Sequence, residues 1–121
     1  MTLNEYQQRA MRTCLHESRN FAYMMLNLMS EVGEVAGKVG KAIRKGRAMI
    51  DWNQLITEHG TQAMTDEEVA ALRSECGDVL WQLAGLCEVM GWDLEAVARE
   101  NLQKLADRQA RHVIDGSGDT R

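Results

Sequence analysis

Four acids in two pairs carry the most informative spacing in the chain: Glu31 with Glu34, and Glu75 with Asp78. Members of each pair stand three residues apart, and on an α-helix positions i and i+3 project from one face. Two such helices side by side would gather four carboxylates, which repel by several kcal/mol at an effective dielectric of about 20 unless protons or cations intervene. All-oxygen sites suit hard divalent cations, so the pattern points to Mg²⁺, with Mn²⁺ as an alternative, and away from zinc or copper. A competing reading leaves both pairs on solvated faces of ordinary helices, and spacing alone does not separate the two.

The stretches that must position these acids are helical in pattern. From Phe21 to about Lys45, Leu28, Val32, Val35, Val39 and Ile43 form an apolar stripe, and Asn27, Glu31, Glu34, Lys38, Lys41 and Lys45 form a polar one. Asn20 is a candidate N-cap, and Gly46 ends the run. Gly33, Gly37 and Gly40 share a face of this helix, at about 1 kcal/mol each relative to Ala, so a second backbone, from this chain or another copy, is one explanation for them. Lys41, Arg44, Lys45 and Arg47 crowd its C-terminal end, either offsetting the helix dipole or forming a phosphate-contacting patch.

The second acidic helix opens on a capping box, Thr65 to Glu68, and stops at Gly91. Val69, Leu72, Cys76, Val79, Leu83, Leu86 and Met90 make its apolar side, with Glu75, Asp78 and Gln82 on another. Trp81, three residues beyond Asp78, reads first as a core aromatic and second as a ring that stacks on a nucleobase.

Two further helices frame the pair. Residues 3–18 repeat apolar positions at helical spacing, and Asp93 caps a last helix whose apolar face is Leu94, Val97, Ala98, Leu102 and Leu105. Asn101, Lys104, Arg108 and Arg111 form a polar and basic stripe on that helix. Residues 46–64 are the least regular part, a short helix or a locally packed loop ended by His59 and Gly60, and a candidate lid over the acids. Residues 116–121 read as a flexible tail, in which Gly116 and Gly118 permit tight turns.

Length and composition agree with this outline. The 121 residues suit one domain, spanning 1–115, and the 45% hydrophobic and 26% charged content is that of a globular chain. The absence of Pro, the 5% of aromatics and the eight Met favour helices and offer little to a sheet. All-α is therefore the expected class, a bundle of four to five helices whose core is completed by a second copy, as homodimer or homotetramer. Cys14, Cys76 and Cys87 form no CxxC pair and read as buried small hydrophobes in a reducing cytoplasm. No apolar run reaches the roughly 18 residues of a membrane span, Glu5 and the missing basic n-region argue against a signal peptide, and the −4 net charge against polynucleotide or anionic-membrane partners.

With these elements in view, SEVGEVAGKVGKAIRKG and SECGDVLWQLAGLCEVMGWDLEAVARENLQKLADR resemble the ExxE helix, the ExxD helix and the N-x-x-K-x-x-x-R stretch of the MazG-like all-α nucleoside triphosphate pyrophosphohydrolases. The resemblance covers most of residues 20–111, and NEYQQRAMRT looks like the opening of many members. Residues 46–64 stand as an insertion relative to that pattern. The resemblance implies that Glu31, Glu34, Glu75 and Asp78 bind Mg²⁺ that holds a nucleoside triphosphate, which water splits into monophosphate and pyrophosphate. It implies Glu34 as the residue that orients or deprotonates the water, Lys38, Asn101, Lys104 and Arg108 as contacts for phosphates and sugar, and Trp81 and Phe21 as contacts for the base.

Rival readings are a di-iron bundle, a non-catalytic helical interaction module, and a hydrolase of another diphosphate-linked metabolite or alarmone. The first needs Glu-x-x-His pairs, and none of His16, His59 or His112 has Glu three positions before it.

Overall fold

The computed structural model describes residues 1–59, 62–116 and 118. Helix α1 (Leu3–Met11) leads through a 3-10 turn (His16–Ser18) into α2 (Phe21–Arg44); two small hairpins, β1 (Met49–Asp51) with β2 (Gln54–Ile56) and β3 (Glu58–His59) with β4 (Gln62–Ala63), precede α3 (Asp66–Val89) and α4 (Leu94–Ala110).

Local chemistry sets the ends of these helices. Asn20 Oδ1 accepts the Tyr23 amide at 2.9 Å, Thr65 and Glu68 close a capping box, and Asp93 Oδ1 accepts the amides of Glu95 and Ala96. Thr2 and Glu5 form a second capping box at the start of α1. Gly46 and Gly91 terminate α2 and α3 with φ of +70° and +69°, the left-handed region that glycine enters without steric cost.

The first helix is shorter than its apolar pattern suggests. Its last carbonyls are taken by side chains: Thr13 Oγ1 and Trp81 Nε1 donate to the Ala10 carbonyl, and Arg19 Nη2 donates to that of Met11 at 2.8 Å. The chain turns away there, leaving Leu15 exposed.

Residues 46–64 hold hairpins in place of the expected short helix or loop. Met49 pairs with Ile56 and Asp51 with Gln54, so Trp52 and Asn53 form the tip, both at positive φ. The register sets Met49 opposite Ile56 and Ile50 opposite Leu55, an apolar pairing too local to weigh against the composition of the whole chain. Ala48 and Met64, at the roots of the hairpins, pack with Ala42 of α2. Gly60, expected to end this segment, lies outside the described residues, as does most of the 116–121 tail.

The main packing is α2 against α3, with α1 covering one end. There Met24 is fully buried, joined by Met11, Ala84, Leu86, Cys87 and Leu94. The close approach falls at Gly85: a Cβ built there would press on Met24 Sδ and lie 2.7 Å from its Cε. A Cβ at Gly33, Gly37 or Gly40 would meet nothing within 4 Å among the described residues beyond its own helix, so no close intrachain approach accounts for them there.

The expected apolar stripes are only partly covered. Val32, Ile43, Val69, Leu83, Met90, Leu102 and Leu105 are exposed, whereas Gln82, assigned to the polar side of α3, is 3% exposed. Of the cysteines, Cys87 is buried, Cys14 half-buried and Cys76 exposed, which corrects the expectation that all three are internal. The reason is that α1 covers the C-terminal half of α3 and leaves the N-terminal half open. No helix among the described residues is long and apolar enough to cross a membrane.

Candidate metal centre

Helices α2 and α3 run antiparallel, and one heptad step sets their relation. Met24 faces Gly85; seven residues on along α2 and seven back along α3 stand Glu31 and Asp78. A further seven bring Lys38 and Ala71, then Lys45 and Met64, all four lining one cavity. Each step is about 10 Å of helix, so the close packing at Met24 holds the carboxylates opposite one another.

Glu31, Glu75 and Asp78 each present a carboxylate oxygen within 4.8 Å of the others. Glu31 and Glu75 are half-buried and Asp78 is exposed. At that separation each like-charge pair costs between about 1 kcal/mol in water and about 3.5 kcal/mol at an effective dielectric of 20. Two neighbours counter this. Lys38 Nζ lies 3.0 Å from Glu75 Oε1, and Asn27 Nδ2 donates to Glu31 Oε1 at 3.0 Å. The donor set is all oxygen and convergent from two helices, which fits a hard divalent cation.

Glu34 stands apart from this group and is exposed, one turn along from Glu31. The remaining expected contacts are distributed. Lys38 is held by Glu75. Trp81 packs against the core cluster and donates its Nε1–H to Thr13 Oγ1 at 3.0 Å and to the Ala10 carbonyl, so its polar edge anchors α1. Phe21, the first residue of α2, is half exposed. On α4, which packs mainly on α1, Asn101 and Lys104 are exposed and Arg108 is buried.

Two participants escaped the reading of the chain. Tyr6 of α1 lies near enough to Asp78 that its phenol is pushed up, by burial first and by that negative charge second. Nothing local to Tyr6 signals this, because α1 reaches α3 only through the fold. Asn27 stood in the polar stripe, and its place four residues before Glu31 was the available signal for an orienting partner.

The fold and the site thus define an all-α bundle with an acidic centre on its two longest helices. The MazG nucleotide pyrophosphohydrolase domain matches residues 19–113, and the chain belongs to this family. Gene 37 protein of Mycobacterium phage L5 is 37% identical over 100 residues, covering 83% of this chain and 75% of that protein. No solved structure matches.

Proposed function

We propose that the protein is a Mg²⁺-dependent nucleoside triphosphate pyrophosphohydrolase that converts a ribo- or deoxyribonucleoside triphosphate to the monophosphate and pyrophosphate, as a housekeeper of the nucleotide pool. The observation that carries this reading is the convergence of Glu31, Glu75 and Asp78, in a member of this family. These three would hold the metal, with Glu34 completing the set by a change of rotamer from its exposed position. When bound, Mg²⁺ supplies charge neutralisation for the phosphates and a lowered pKa for water.

The chain's own groups do the rest. Asn27 fixes the Glu31 carboxylate, so one ligand keeps its orientation without metal. Glu34, exposed one turn along from Glu31, would accept the proton of an attacking water. Lys38, held at Glu75 without substrate, has one ion pair to exchange for a phosphate oxygen. Asn101, Lys104 and Arg108 serve phosphates and sugar from α4, and Phe21 and Trp81 border the base.

The exposed apolar residues of α2 and α4, with Leu26 at 73%, Met29 at 65% and Leu102 at 67%, support assembly with further copies, as dimer or tetramer. Gly33, Gly37 and Gly40 leave room for such a neighbour on α2.

The test is incubation with a panel of canonical and modified triphosphates and Mg²⁺, separating monophosphate plus pyrophosphate from diphosphate plus phosphate, with Glu31→Gln and Glu34→Gln alongside. Monophosphate and pyrophosphate, lost in both variants, are expected. Cleavage to diphosphate, or activity that survives Glu31→Gln, would overturn the reading.

A further inference from the structure

Beyond the acidic centre, the same two helices and the residues that follow α2 and precede α3 border an open cavity of about 160 Å³. Its charged lining is Lys38, Lys41, Lys45, Arg47 and Glu68, set against Ala42, Met64 and Ala71. Two of these cations are already matched: Lys38 by Glu75, and Arg47 by Glu68, whose carboxylate accepts from Arg47 Nη1. Lys41 and Lys45 have no carboxylate partner among the described residues. Arg44, in the same basic run of sequence, does not line the cavity.

A helix-dipole role accounts poorly for this selection. Cations that merely offset a C-terminal dipole need no common concavity, yet here positions 38, 41 and 45 turn into one space with an apolar floor. Apolar walls lower the local dielectric and strengthen any anion contact made inside. Lys38 belongs to both places, since it lines the cavity and touches Glu75 of the acidic centre. From Lys38 to Lys45 is about 10 Å of helix, leading directly away from the carboxylates.

We infer that this cavity is the subsite for the pyrophosphoryl end of the substrate, with Lys41 and Lys45 as its principal contacts and Arg47, held by Glu68, as its rim. The inference rests on the triphosphate reading above for the identity of the substrate, and on the cavity alone for its affinity toward a polyanion. It gives the substrate a direction: the β- and γ-phosphates lie toward the hairpin end of α2, and the nucleoside lies on the far side of the acids. After cleavage of the bond between the α-phosphorus and its bridging oxygen, water supplies the oxygen to the monophosphate, and the pyrophosphate leaves from this cavity with that bridging oxygen.

The test is titration calorimetry of inorganic pyrophosphate into the full chain, with a chelator and again with Mg²⁺. The proteins compared are wild type, Lys41→Ala/Lys45→Ala, Glu31→Gln, and Arg9→Ala/Arg12→Ala as an equal loss of charge elsewhere. Each lysine contact is a charge-assisted bond, so the lysine double variant should bind about tenfold or more weakly. Glu31→Gln and the arginine control should keep metal-free binding, and the lysine variant should show a raised KM with relief of pyrophosphate inhibition. Equal binding by the lysine variant, equal loss in the arginine control, or no binding by wild type overturns the inference. If wild type cleaves no triphosphate while the lysines still govern pyrophosphate binding, the proposed reaction falls and the anion site stands; cleavage with lysine-independent binding gives the reverse.

Discussion

The two ends of the α2–α3 pair are built on opposite rules. At the α1 end, Met24 sits fully buried against Gly85, and Met11, Leu94 and Cys87 close around them. At the hairpin end, Ala42 is the one buried residue of α2 beyond Met24, and Lys38, Lys41, Lys45 and Arg47 surround an open cavity. The carboxylates lie between. One end contributes stability through excluded water and close fit, and the other keeps charge that a stable core would not tolerate. The lesson is positional: the acids converge because a tight contact one heptad away fixes the register, not because they attract one another.

The largest expected effect concerns the carboxylates. Glu75→Gln should lower turnover by about 10³-fold, the equivalent of roughly 4 kcal/mol in the barrier, because the proposed metal centre loses one carboxylate and Lys38 loses its partner. The same variant should not reduce thermal stability, since it relieves repulsion; a parallel fall in melting temperature would mean that the centre supports the fold.

Next in size is the contrast between two thiols on one helix. Cys87 is 2% exposed and its thiol is pushed up by burial, whereas Cys76 is exposed. A thiol reagent should modify Cys76 faster by on the order of 10²-fold, since Cys87 reacts only after local opening. Equal rates would show that the α1 end is not the rigid one.

Glycine substitutions sharpen the comparison further. Gly85→Ala should destabilise by about 1–3 kcal/mol in urea unfolding, because the buried Met24 side chain has nowhere to go. Gly37→Ala adds a Cβ with no neighbour within 4 Å among the described residues beyond its own helix and should stabilise by about 0.5–1 kcal/mol through helix propensity. A loss of stability at Gly37 together with dissociation in ultracentrifugation would place a second copy against that face.

The smallest effect is alkaline. Cys87 and Tyr6 both have raised folded values, so their contribution is complete below the ordinary values of 9.0 and 10.0 and is lost as pH rises through the folded ones. Stability should therefore fall above about pH 9, and Cys87→Ala should flatten the start of that decline; an unchanged slope would assign it to other groups.

Much of this was legible from local patterns. Caps at Asn20, Thr65 and Asp93, stops at Gly46 and Gly91, and the i, i+3 acids all follow from interactions within four residues, which the chain order itself dictates. The family followed from the acid pairs with the stretches around them. The hairpins were missed because composition averages over the whole chain while a two-residue tip does not.

What tertiary structure alone decided is which of several equivalent helix faces is covered. Val32, Leu83 and Leu102 carry the right periodicity and remain exposed, while Gln82 is buried, because burial depends on whether another element lies opposite. Cys76 and Cys87 are eleven residues apart on one helix, about three turns, yet only Cys87 lies in the core cluster that α1 helps to close. The same holds for the site. Glu31 and Glu34 have the same residue type and face, yet Glu31 meets Asp78 and Glu75 while Glu34 faces solvent. Sequence set the residues and their helical spacing; the crossing of α2 on α3 at Met24 and Gly85 set which of them meet, since register between two helices is a property of their packing and of neither helix alone.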